Sequence, residues 1–157
     1  MKEIREKRNP GLAMKFYIVE RWFYTRGFYF LSMLVCRTLQ IVCGCIIRPT
    51  TQIGEGTVFP HSVGIVIHQN TKIGSRCKIY QNVTIGNGNG PIIGDDCVIG
   101  AGACILGDIV IGNRCRIGAN AVVLKSLPDD VTAVGVPARI VRDRRQDKFS
   151  EENIKSI

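Results

Sequence analysis

The sequence predicts an all-β solenoid, a parallel β-helix preceded by a short N-terminal helical segment. Three observations predict it. From residue 93 the chain reads in consecutive sixes, IGDDCV IGAGAC ILGDIV IGNRCR IGANAV VLKSLP. The first residue of each six is aliphatic (Ile93, Ile99, Ile105, Ile111, Ile117, Val123), and the second is usually Gly. The fifth is small or apolar: Cys97, Ala103, Ile109, Cys115, Ala121, Leu127. A period of six is neither the 3.6 of a helix nor the 2 of a lone strand. It is the repeat of a β-helix, in which each six supplies one short strand and one turn.

Taken in order, residues 1–10 are charged and end in Asn-Pro, which reads as a solvated arm or helix start. Residues 15–45 are rich in aromatic and aliphatic side chains and predict one or two helices broken at Gly27. The stretch 27–47 is long enough to span a bilayer, but Arg37 and Gln40 sit near its centre, where a charge is costly. Two readings remain for this leader (1–46). In one it caps the open end of the β-helix, whose exposed strand edges need covering. In the other it is an interfacial helix, basic on one side and aromatic on the other. Residues 2–48 hold nine Lys/Arg against three Glu, so most of the positive charge is here.

The β-helix is expected over 47–141. Its phase starts at Ile47, Ile53 and Phe59, then slips by two residues within FPHSVGIV, which contains His61. It resumes at Ile67, Ile73, Ile79 and Ile85 and slips by two again around NGNGPI, before the regular run. With three sixes to a coil, Ile53, Ile73, Ile93 and Ile111 form one interior column. Phe59, Ile79, Ile99 and Ile117 form a second, and Ile67, Ile85, Ile105 and Val123 a third. Coils then lie about 4.8 Å apart. The same register stacks Cys77, Cys97 and Cys115 above Thr57 as small apolar fillers rather than nucleophiles or ligands. Cys36, Cys43 and Cys45 read as buried thiols too, and Cys104 as outward-facing. Beyond Pro128, Gly135 and Pro137 punctuate a turn and a closing extended segment, and 142–157 is expected to be a short helix or frayed tail.

The net charge of +8 and pI near 9.3 favour an anionic partner: nucleic acid, a membrane surface or a phosphorylated cofactor. Zinc-finger, helix-turn-helix and aromatic-basic strand patterns are missing, so no nucleic acid partner is expected. Seven Cys without a secretory signal point to free thiols and a cytoplasmic protein, with membrane association through the leader left open. Without a CxxC pair, and with only two His, no metal site is expected.

Those two histidines sit at irregular positions, His61 in the first slip and His68 where Gly is usual. Irregular coils of a solenoid carry loops, and loops carry function. Imidazole is the commonest general base near neutral pH, so either is a candidate catalytic residue.

The motifs PHSVGIVI, VTIGN, GAGACILGDI and GVPAR, within residues 47–141, closely resemble the left-handed β-helix hexapeptide acyltransferases. Among these the chain is most similar to serine acetyltransferases and to capsule and exopolysaccharide O-acetyltransferases. The left hand comes from that resemblance alone, since crossovers between parallel strands are right-handed in about 98% of cases. The resemblance implies a homotrimer with active sites between subunits and acetyl-CoA as donor. It implies His61 as the base that takes a proton from an acceptor hydroxyl. It places CoA against backbone around Gly102, Ala103, Ala119 and Asn120, with Lys125 and Arg139 as partners for its phosphates. Two departures stand out. Serine acetyltransferases carry an orienting Asp where this chain has Ile46, so that Glu55 or a neighbouring chain would have to replace it. The loop that holds their second active-site His is here NGNGPII. The resulting expectation is a saccharide acceptor in polysaccharide biosynthesis, with L-serine as the alternative. A γ-type carbonic anhydrase shares the repeat but needs three His per metal. A non-catalytic trimeric scaffold is the third class.

Overall fold

In a computed structural model of the chain, residues 9–144 are described. The arm before Asn9 and the tail from residue 145 lie outside the described residues.

The period of six folds into a triangular solenoid with three parallel faces. The first face stacks β1 (Ile46–Ile47), β3 (Val66–Ile67), β6 (Thr84–Gly86), β9 (Cys104–Leu106) and β12 (Val122–Val123). The second stacks β2 (Gln52–Ile53), β4 (Lys72–Ile73), β7 (Ile92–Ile93) and β10 (Val110–Ile111). The third stacks β5 (Lys78–Ile79), β8 (Val98–Ile99), β11 (Arg116–Ile117), β13 (Val131–Val134) and β14 (Arg139–Asp143).

Registers follow the predicted columns. Ile53, Ile73, Ile93 and Ile111 are paired in sequence on the second face. On the first face Ile47 underlies Ile67, Ile85, Ile105 and Val123. On the third, Ile79, Ile99 and Ile117 are aligned, with Val58 bridging to Lys78 beneath them. The reason is the alternation within a strand: one residue points in and its neighbour out. Each inward aliphatic removes its side chain from water, worth about 1.5–3 kcal/mol per residue, and these columns are almost wholly buried.

Thr57 and the cysteines fill one corner of the interior as expected. The thiols of Cys77, Cys97 and Cys115 each donate to a carbonyl of the next coil, at Gly94, Gly112 and Pro128, all at 3.1 Å. Thr57 starts the ladder by donating to the Gly74 carbonyl and accepting from the Cys77 amide. The neighbouring Cys115 and Cys77 thiols, reinforced by burial, push the Cys97 thiol up. Cys36, Cys43 and Cys45 are buried, and Cys104 is half-exposed on the outside of β9.

Two helices close the lower end. α1 (Leu12–Thr25) and α2 (Tyr29–Cys43) are separated by a turn in which Gly27 has φ 82°, a left-handed conformation glycine adopts without strain. Ala13, Met14, Tyr17, Leu39 and Cys43 pack in one core with Ile47 and Phe59. The leader is therefore a cap on the first coil. The Tyr17 hydroxyl donates to the Thr51 carbonyl at 2.7 Å, and the Arg21 guanidinium donates to the carbonyls of Pro49 and Thr51. Both tie α1 to strand-free backbone of the first coil that would otherwise lack partners.

At the upper end β14 turns back antiparallel on β13. β14 runs through Asp143, so Arg142 and Asp143 belong to the closing hairpin and not to the tail. The Arg144 amide donates to the Asp130 carbonyl, and the predicted tail from residue 145 lies outside the described residues.

Candidate active site

The three corners of the triangle are built differently. The corner after the second face is knitted by charge. Arg76 pairs with Asp96 at 2.6 Å and Asp95 at 3.4 Å, and Arg114 with Asp130 at 2.7 Å and Asp129 at 3.4 Å. Asp95 and Asp129 carboxylates also accept amides from the coil below, those of Ser75 and Asn113. The exposed pairs among these add little stability, and Asp130 is buried in the last of them, but all join successive coils.

The corner after the third face contains His61. It is occupied in succession by Gly64, Asn82, Gly102 and Asn120, all with φ between 56° and 70°. The Asn82 carboxamide fills the space a side chain on Gly64 would need, and Asn120 does the same over Gly102. The Gly102 amide donates to the Gln81 carbonyl and the Asn120 amide to the Ala101 carbonyl, both coil to coil. Gly102, Ala103, Ala119 and Asn120 thus share one corner with His61. Ala103 turns its side chain into the core, and its amide and carbonyl are already engaged with Gly100 and Thr84. Ala119 and Asn120 are exposed. Arg139, opposite Val134 next to the Gly135 turn, stands at the top of this same corner. Lys125 does not: it follows β12 and lies at the corner after the first face.

The first slip forms the loop that presents His61. Its anchors come from the helical cap. The Phe59 amide donates to the Pro10 carbonyl, the Ser62 hydroxyl accepts the Ala13 amide at 2.9 Å, and the Gly64 amide donates to the Cys43 carbonyl. The Ser62 hydroxyl in turn donates to the Phe59 carbonyl, closing the loop on itself. His61 is exposed between these anchors, its ring 6.1 Å from the ring of Tyr80 on the next coil. Among the described residues neither ring nitrogen of His61 has a hydrogen-bond partner.

His68 lies apart. It follows β3, whereas His61 precedes it, so the two histidines stand at opposite ends of that strand and not on one side of the repeat. His68 stacks beneath Gly86, where a side chain would press on its Cβ, and its Nδ1 receives the Asn70 amide at a long 3.5 Å. Above it the second slip forms the loop from Asn87 to Pro91. Asp108 of the following coil clamps this loop, accepting the Asn89 amide at 2.5 Å and the Asn89 carboxamide at 3.3 Å. The two slips therefore occupy two different corners of one chain.

Glu55 does not stand in for the absent carboxylate within the chain. Its carbonyl accepts the Arg76 amide at the charged corner, one corner away from His61. Ile46 lies in β1, pairing with Val66.

Two of the grooves among the described residues border the helical cap, and neither of these includes His61 or His68. One, of about 720 Å³, runs between α1 and the second face past Arg21, Trp22, Arg26 and Lys72. The other, of about 360 Å³, lies below the first face and is lined by Glu20, Tyr29, Ser32, Cys36, Ile46 and Arg48. Sequence reasoning missed Glu20. Its side chain is 1% exposed, and Oε2 has no hydrogen-bond partner. Burial raises its carboxyl to about 7, with the Cys36 thiol and Arg48 opposing the rise. A lone Glu inside an aromatic helical stretch would have been the signal. Among the described residues no three His, Cys, Asp or Glu side chains are grouped to hold a metal.

The family model for bacterial transferase hexapeptide (six repeats) matches residues 90–125. A serine acetyltransferase from Helicobacter pylori (strain J99) is 40% identical over 144 residues, covering 86% of this chain and 84% of that protein. The chain belongs to the serine acetyltransferase family. The serine acetyltransferase of Synechococcus elongatus is 36% identical over 140 residues, and this chain spans only 57% of its length. A solved serine acetyltransferase in complex with CoA superposes with a TM-score of 0.77 at 37% identity, over 82% of this chain and 55% of that one. With that likeness the solenoid is a left-handed parallel β-helix. The match reaches into the helical cap, so the family member shares more than its repeats.

Proposed function

We propose that the chain is an acetyl-CoA-dependent O-acetyltransferase with His61 as its general base. The observation that carries this reading is the cap-anchored loop that presents His61 on the corner shared with Gly102, Ala119 and Asn120. By resemblance, that corner is the one that would face CoA. His61 takes the proton of an acceptor hydroxyl as its oxygen attacks the thioester carbonyl carbon. The C–S bond then breaks, and the proton held by the imidazole passes to the departing CoA thiolate, leaving an acetyl ester. Backbone N–H groups near the coil edge are suited to the oxyanion. Arg139 at the top of the corner is positioned for a CoA phosphate, with the charge and donor geometry such a group favours. Lys125, one corner away, would serve it only from a neighbouring subunit. A homotrimer with sites between subunits is part of this proposal.

The acceptor is L-serine in the reading that the relatives' names support, which is better supported than the saccharide expected from the sequence. A saccharide hydroxyl remains as a second reading because Ile46 replaces the family's Asp and the 87–92 loop carries no His. Acetyl transfer measured with L-serine, free sugars and nucleotide- or lipid-linked sugars separates the two. Transfer to serine alone supports the first, and transfer to a sugar alone the second. Absence of CoA binding by calorimetry would favour a non-catalytic scaffold.

A further inference from the structure

α2 is built with its larger apolar side chains outward. The residues it buries are Ser32, Cys36, Leu39 and Cys43, spaced 4, 3 and 4 apart on one helical face. Three of these four are small. Its opposite face carries Phe30, Met33, Leu34 and Ile41, at 71%, 55%, 54% and 83% exposure, with the exposed Arg37 among them. A helix on a water-facing surface shows the reverse pattern. The patch continues across the turn to Trp22, Phe28 and Tyr29, all exposed. Contiguous apolar surface of this kind marks a contact site.

Charge says what kind of contact. Between residues 9 and 49 the cations are Lys15, Arg21, Arg26, Arg37 and Arg48, and the sole carboxylate, Glu20, is buried. The surface of the hairpin therefore offers apolar area and positive charge with no exposed carboxylate. A second copy docked here would set cations against cations. A bilayer with anionic headgroups complements both features, since cations near such a surface are attracted to it. At the tip, the Arg26 guanidinium lies 4.1 Å over the Trp22 ring, and Tyr24 meets Tyr29 edge-on at 5.4 Å. Amphipathic aromatics with a cation alongside are the groups that settle at the headgroup level. No helix among the described residues is long and apolar enough to cross a membrane. We infer that the α1–α2 hairpin seats the protein on an anionic membrane surface, lying in the interface with the apolar side chains of the outward face of α2 at the acyl boundary and Arg37 on that face reaching back to the headgroups. This inference stands independently of the acetyl-transfer reading.

The test uses the full chain, whose single Trp is Trp22. Phosphatidylcholine vesicles with and without phosphatidylglycerol are the probe. Co-sedimentation is expected to be at least tenfold greater with phosphatidylglycerol at low salt and to weaken as salt screens the charges. Trp22 emission should shift to the blue and be quenched by brominated acyl chains. The double variant Phe30→Asp, Ile41→Asp, its fold checked by circular dichroism, should lose at least tenfold of the binding. The inference is overturned if Trp22 emission is unchanged by either vesicle, or if the folded double variant binds undiminished. It is equally overturned if the variant instead halves the particle mass in solution, which would assign the face to a second copy. Should the variant fail to fold, the Trp22 shift and quenching in the unaltered protein decide the matter alone.

Discussion

Residues 93–127 and residues 59–67 are parts of one solenoid held in place by different means. The first is fixed by its own repeat: every coil supplies the inward aliphatic, the corner turn and the amide that the next coil needs. The second departs from the repeat: its backbone is held by the Pro10 and Cys43 carbonyls and its Ser62 hydroxyl by the Ala13 amide. Regularity gives a rigid wall, while the irregular loop is free to expose His61 because something outside the repeat anchors it. A coil in perfect phase would have turned that position into one more corner residue.

Perturbations can break this contrast. His61→Ala should have the largest effect, lowering kcat/KM for acetyl transfer by about 10²–10⁴-fold with an unchanged melting temperature. Retention of full rate with loss in His68→Ala would move the base to the other corner. In the regular wall, Ile99→Ala should cost about 2–5 kcal/mol of unfolding free energy, the range for a truncated buried aliphatic. Chemical denaturation measures it. Gly102→Ala should cost about 1–3 kcal/mol, because the new methyl group meets the Asn120 carboxamide in a left-handed backbone conformation. A Gly102→Ala protein as stable as the parent would contradict the close stacking at that corner.

The cap responds to pH. The Glu20 carboxyl is raised from 4.5 to about 7, so the folded chain holds a proton that the unfolded chain releases. Its contribution is present below pH 4.5 and is lost as pH rises through 7. Glu20→Gln should therefore become the more stable protein as pH goes from 5 to 8, by about 1–3 kcal/mol at the upper end. Parallel melting curves at several pH values would show it, and a constant difference would refute it. Ser62→Ala should have the smallest stability effect, about 1 kcal/mol for one lost hydrogen-bonding group. It should nevertheless lower kcat more than an equally mild change in the regular run, since it frees the loop bearing His61. Equal rates in the two would show that the anchors do not position the base.

Much of the fold was legible in the order of residues. The three interior columns, the cysteine ladder from Thr57 upward and the break at Gly27 all follow from a period that repeats without needing distant partners. The cap was one of two readings, and the structure gives both helices distinct tasks: α1 and the inner side of α2 close the core, and the outer side of α2 remains apolar and exposed. The sequence pattern could not separate these because both faces of α2 contain apolar residues. Only packing showed that Ser32, Cys36, Leu39 and Cys43 are inside. The relation between His61 and His68 was also beyond reach, since seven residues of separation conceal that β3 lies between them.

By itself, then, the sequence determined the solenoid, because a six-residue period makes every coil a local copy of the last and neighbouring coils the only partners required. It also marked His61, because a slip in a regular pattern is visible in one dimension. Tertiary structure alone decided how the helical cap anchors the His61 loop, placed Lys125 and Glu55 at corners away from His61, and revealed Glu20. Those facts depend on where the corners fall and on how the two helices meet the first coil. Such contacts join residues some 15 to 50 positions apart, as Ala13 and Ser62 are, and no periodicity encodes them.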